Sequence, residues 1–157
     1  MAARPLLIIA WGNRSRGDDA LGPLFYDTLA KALSPEQAAS VDLLEEHQLH
    51  PELALDLAGR QRVLLVDADP GAPPPFRLSA VQPGPDASLA SHALSPSALL
   101  AVFTAFHGQP PPPVTLLGLH ACSFGLGRPL SDAAADALRA AVLWALAWVD
   151  GDAAVPR

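Results

Sequence analysis

The chain has 157 residues, half of them apolar, a formal net charge of −6 and one cysteine. That length and apolar content suit a single domain, residues 1–157, around one core. The acidic balance argues against a nucleic-acid binder, which needs a basic face to meet phosphate, although Arg14 and Arg16 could form a local basic patch. Cys122 has no partner for an internal disulfide, which fits a reducing, cytoplasmic setting.

Residues 6–10, Leu-Leu-Ile-Ile-Ala, form a short apolar run ended by Trp11-Gly12. It is too short for a signal peptide or a membrane span and reads as a buried strand. A polar loop follows, and then Leu21, Leu24, Phe25, Thr28, Leu29 and Leu33 fall at helical spacing. Asp18 or Asp19 is a candidate N-cap for that helix. Residues 41–45 read as a second strand and residues 51–57 as a helix with Pro51 in its first turn. Residues 62–67, Arg-Val-Leu-Leu-Val-Asp, are the clearest strand, and Asp69-Pro70-Gly71 then turns the chain. Residues 76–81 read as an edge strand between prolines. A helix starts at Ser95-Pro96 and runs to about Phe106. Residues 114–119 form a last strand, residues 122–129 a Gly-rich loop, and Ser131-Asp132 cap a final helix reaching about Val149. Strands alternating with helices predict an α/β fold: a three-layer α/β/α sandwich around a mainly parallel, mixed sheet of about five strands. No run suggests a membrane partner, and a monomer is expected.

In such sheets chemistry gathers beyond the carboxyl ends of the strands. Three acidic positions meet that rule: Asp18-Asp19 after the first strand, Glu45-Glu46 at the end of the second and Asp67 at the end of the third. A carboxylate at a buried strand end is costly unless something positive satisfies it. A divalent metal does so, and an imidazole such as His92, in the loop before a helix, could complete the set. Each residue also has a plainer reading. Asp18 and Asp19 could cap the helix, Asp67 could anchor a neighbouring loop, and His92 could be a surface residue.

Other chemistries lack their residues. There is no H-E-x-x-H helix, no G-x-S-x-G elbow, no dinucleotide fingerprint and no P-loop. Cys122 reads as an inert, half-buried thiol and Asp69 as a structural turn residue. No organic cofactor is implied.

Gly12-Asn13-Arg14-Ser15-Arg16-Gly17-Asp18-Asp19-Ala20-Leu21-Gly22 resembles the opening signature of the hydrogenase-maturation endopeptidases. Leu64-Leu65-Val66-Asp67-Ala68 looks like that family's second metal-bearing strand end. Ser91-His92, followed by Leu94 and Pro96, looks like its histidine loop, and Thr115-Leu116-Leu117-Gly118 like its last strand. The motifs keep the family's order over nearly the whole chain. Two departures stand out. Glu45-Glu46-His47 replaces the family's frequent Asp-Gly-Gly, and Ala20 stands where glycine is common. The resemblance implies an endopeptidase that removes the C-terminal extension of a NiFe-hydrogenase large-subunit precursor. It implies metal ligands at Asp19, Asp67 and His92, with Asp19 and Asp67 also catalytic and the nickel supplied by the substrate protein. Trp11, Asn13 and Glu45 are the candidate substrate contacts.

Two other readings stay open on the residues themselves. One is an unrelated small metallohydrolase acting on a low-molecular-weight ester or amide. The other is a non-enzymatic binding module whose acids only cap helices and anchor loops.

Overall fold

Five of the apolar runs pair into one sheet. The computed structural model describes residues 3–85 and 94–157. Its strands are β1 (Leu6–Trp11), β2 (Val41–Glu46), β3 (Arg62–Asp69), β4 (Phe76–Ala80) and β5 (Val114–His120). They lie in the order β2-β1-β3-β5-β4, all parallel except β4, which runs antiparallel to β5 at the edge. The expected mixed, mainly parallel sheet is therefore the one observed.

Period-two alternation sends each strand's side chains to opposite faces. On one face Leu6, Ile8 and Ala10 of β1, Leu64 and Val66 of β3, and Leu117 and Leu119 of β5 share a cluster with Leu21, Phe25, Leu29, Ala141, Ala145 and Trp148. These last residues belong to helices α1 (Leu21–Ala32) and α4 (Asp132–Val149). On the other face Leu7, Ile9, Val63 and Leu65 meet Leu99, Leu100 and Phe103 of helix α3 (Pro96–His107), together with Leu53 and Leu57. The result is the three-layer sandwich.

The helical turn expected over residues 51–57 is a shorter 3-10 turn, Pro51–Leu55. A four-residue helix, α2 (Pro35–Ala38), was not expected. Ser34 caps it by accepting the Gln37 N–H, while the Gln37 side chain accepts the Ser34 N–H. Among the described residues, no helix is long and apolar enough to cross a membrane.

Gly22 sets how closely α1 lies on β1. A Cβ there would overlap the Trp11 carbonyl oxygen, an obstacle of backbone that no rotamer change relieves. Gly22→Ala is expected to push α1 off the sheet at a cost of about 3 kcal/mol, lowering Tm by roughly 6–12 °C. A thermal melt followed by circular dichroism checks this, and an unchanged Tm would contradict the close packing.

Candidate active site

The loop after β1 buries one carboxylate, Asp18, and leaves the next, Asp19, partly exposed. Gly12 has φ +151°, and a Cβ on it would collide with the Asp19 carbonyl oxygen, so only glycine fits. The Asn13 Oδ1 accepts the Ser15 N–H at 2.9 Å, which closes a local turn. The Asn13 N–H donates to the Asp19 carboxylate at 2.9 Å. The Asp19 N–H donates to the Arg16 carbonyl at 3.0 Å. Asp19 is thus held by backbone at both its side chain and its own amide.

Asp18 is fully buried, and it is not the N-cap that its position suggests. No side-chain cap bond forms at the 3-10 turn Gly17–Ala20 or at α1. Instead its carboxylate accepts the N–H groups of Cys122 (2.8 Å), Ser123 (3.0 Å) and Ser131 (2.8 Å) and the Ser131 hydroxyl (2.8 Å). Burial alone would raise its pKa. The bonds from Cys122, Ser131 and Ser123 outweigh that and hold it below the ordinary carboxylate value. Asp18 therefore fastens the first loop to the loop after β5.

Asp67 lies near the carboxyl end of β3, half-buried, and the turn carrying Asp19 packs against that strand. Burial pushes the Asp67 pKa up to about 7. The charges of Asp19 and Asp69 add to the rise, and a bond from the Ala68 N–H at 2.8 Å opposes it. Two carboxyl groups thus lie at the carboxyl rim of the sheet, and Asp67 exchanges its proton near neutral pH. Asp69 is spoken for: it accepts from the Gly71 N–H and pairs with Arg77 at 2.9 Å.

Glu45 lies opposite Ala10 in the register, one strand outward. Its carboxylate is occupied by Arg14, which donates Nε at 2.8 Å and a terminal nitrogen at 2.6 Å. The same guanidinium reaches Asp27 of α1 at 2.7 and 3.0 Å. Arg14 therefore ties the loop to both β2 and α1 and forms no basic patch with Arg16. The bonds to Arg14 hold the Asp27 carboxyl below its usual range. Sequence reasoning missed this bridge, whose only signal was an arginine inside an acid-rich loop. Beside it His50 stands between Glu52 (2.9 Å) and Glu46 (3.3 Å). Burial lowers its pKa, and those two partners more than reverse the effect, so the net shift is upward.

Trp11 is half-buried and packs against the second core cluster. Cys122 is exposed, contrary to the half-buried thiol expected, and its Sγ donates to the Ser131 hydroxyl at 3.3 Å. His92 lies outside the described residues. Among the described residues, no three His, Cys, Asp or Glu side chains are grouped to hold a metal ion. A cavity of about 620 Å³ opens at the other end of the sheet, between Val81, Thr104, Pro111 and Val114, away from these acids.

The α/β sandwich itself is an architecture that known structures share. The NiFe hydrogenase maturation protease HycI from Thermococcus kodakarensis superposes with a TM-score of 0.71 at 20% identity, over 94% of this chain and 93% of that one. The hydrogenase maturating endopeptidase HybD from E. coli gives a TM-score of 0.71 at 22% identity, over 97% of each chain. A hydrogenase 3 maturation protease gives 0.68 at 21% identity, over 99% of each. The chain thus has the fold of these maturation proteases. No protein-family model and no curated protein sequence matches it.

Proposed function

We propose that this protein is an endopeptidase that removes the C-terminal extension of a nickel-loaded NiFe-hydrogenase large-subunit precursor. The observation that carries the reading is the pair of carboxyl groups, Asp19 and Asp67, set at the carboxyl rim of a fold shared end to end with maturation proteases. The partner is the large-subunit precursor, met in the cytoplasm by a monomer of this chain.

Nickel belongs to the substrate and arrives bound to it. Oxygen and imidazole donors suit that ion. Asp19 and Asp67, with His92 as the third donor, are the groups proposed to meet it. A cation brought beside Asp67 favours its ionised form and so displaces its proton. With the carboxylates ionised, one of them accepts the proton of the attacking water and returns it to the leaving amine as the peptide bond breaks. Asn13 and Glu45 support this by shaping the loop. The Asn13 N–H steadies Asp19, and Glu45 anchors Arg14. Trp11, at the end of β1, is the proposed contact with the substrate chain.

The test is a cleavage assay on nickel-loaded and nickel-free precursor, read by the mass of the large subunit. Shortening of the loaded form alone is the expected result. An untouched loaded precursor would overturn the peptidase reading, and equal cleavage of both forms would remove nickel from it.

A further inference from the structure

The loop after β5 lies along the acid loop. The Gly127 N–H donates to the Ser15 carbonyl at 2.7 Å, and the Asp18 N–H to the Ser123 carbonyl at 2.6 Å. Gly17, at φ +54°, leaves no room for a Cβ beside the Ser123 carbonyl. These contacts bring together the two loop segments that carry Arg16 on one side and Phe124, Leu126 and Arg128 on the other. Arg16 lies one turn before Asp19, whose N–H is bonded to the Arg16 carbonyl.

The joined loops have an unusual composition for this chain. Phe124 is 38% exposed and Leu126 73%, and Arg16 and Arg128, on the same two joined loops, are exposed as well. Among the described residues, neither Arg16 nor Arg128 has an ion-pair partner, whereas Arg4, Arg14, Arg60, Arg77 and Arg139 all pair with carboxylates. In a protein of net charge −6, two unneutralised guanidinium groups flanking exposed apolar side chains make a local positive, sticky face. Arginine and aromatic side chains are the residue types that carry binding energy at protein surfaces.

We propose that this two-loop face docks an extended segment of the substrate protein in which an acidic side chain stands beside an apolar one. The acidic group meets Arg16 and Arg128, and the apolar one covers Phe124 and Leu126. Charge selects the occupant, because a basic segment would be repelled here. The proposal rests on the peptidase reading for the identity of the partner, but not for the chemistry of the segment. Binding at this face supplies energy remote from the reacting bond, which lowers KM when it is made equally in the ground and transition states.

Two measurements test it. In the first, short fluorescein-labelled peptides of mixed Glu, Leu and Ser, and the same peptides with Lys for Glu, are titrated with the full chain by fluorescence anisotropy. The Glu peptide is expected to bind about tenfold more tightly than the Lys peptide, an advantage that salt erodes. The R16E/R128E double variant should lose that preference, and Leu126→Ser should weaken the Glu peptide while keeping it. Equal binding of both peptides, or a double variant that behaves as the wild type, would overturn the proposal. In the second, the same variants act on the nickel-loaded precursor. R16E/R128E should raise KM about tenfold with kcat little changed, and an unchanged KM would count against the docking face. Peptide discrimination without precursor cleavage would keep the face and sink the peptidase reading. Precursor cleavage without discrimination would do the reverse.

Discussion

Asp67→Asn is expected to cut precursor processing sharply and, at about pH 8, to make the protein more stable than the wild type. Both effects come from one fact: burial, aided by Asp19 and Asp69, pushes the Asp67 pKa up to about 7. A carboxyl group with a raised folded-state pKa binds its proton more tightly folded than unfolded. Stability therefore falls as pH rises from the ordinary carboxylate range, about 4, to about 7, and the full penalty persists above that. Asparagine has the same shape and cannot ionise, so it escapes the penalty. The expected gain at about pH 8 is ~2–4 kcal/mol, roughly 5–10 °C in Tm, shrinking to nothing near pH 4. Processing should drop by about 10²-fold or more, because the amide can neither accept a proton nor offer a charged oxygen to a cation. Paired thermal melts across pH and the cleavage assay check the two halves separately. A wild-type cleavage rate would remove Asp67 from the chemistry. A Tm that does not rise at high pH would mean that the ionised carboxylate is comfortably solvated.

Asp18→Ala is expected to be the most destabilising single change at the rim. It strips the acceptor from three N–H groups and one hydroxyl that meet around a fully buried carboxylate. Buried donors left without a partner cost ~1–3 kcal/mol each before relaxation. A net loss of about 3–5 kcal/mol is expected, enough to lower Tm by roughly 10 °C or more. Asp18→Asn should fare little better, because its amide NH₂ would face donors. The pH dependence has the opposite sign to that of Asp67. The folded-state pKa of Asp18 is lowered, so its contribution is complete above about pH 4 and disappears as pH falls through the lower folded value. The gap between wild type and Asp18→Ala, read by chemical denaturation, should therefore be widest near neutrality and close in strong acid. A gap independent of pH would contradict an ionised Asp18.

The architecture was legible in the sequence because its strands are short apolar runs with hard stops. Leu6-Leu7-Ile8-Ile9 is buried on both faces of the sheet, and the prolines around Phe76 marked an edge strand. The helix Pro35–Ala38 was also written there, as Ser34 followed three residues later by Gln37, but four residues give no hydrophobic period to notice. The chemistry was legible only as far as local order reaches. Asp19 and Asp67 could be placed at strand ends from their neighbours. The role of Asp18 could not, because its partners lie 104, 105 and 113 residues away. The Arg14 bridge to Asp27 and Glu45 likewise depends on a pairing of loop, helix and edge strand that no spacing rule encodes.

Ser131 has a single hydroxyl proton, and it is committed to Asp18, while the same oxygen receives the Ala134 N–H in the first turn of α4. One atom thus closes a circuit between the start of the last helix and the loop that presents Asp19. Fraying of that helix start would strip a donor from Asp18, and loosening of the acid loop would strip the cap of its orientation. The two segments, more than a hundred residues apart in the chain, are therefore expected to open and close as one cooperative unit.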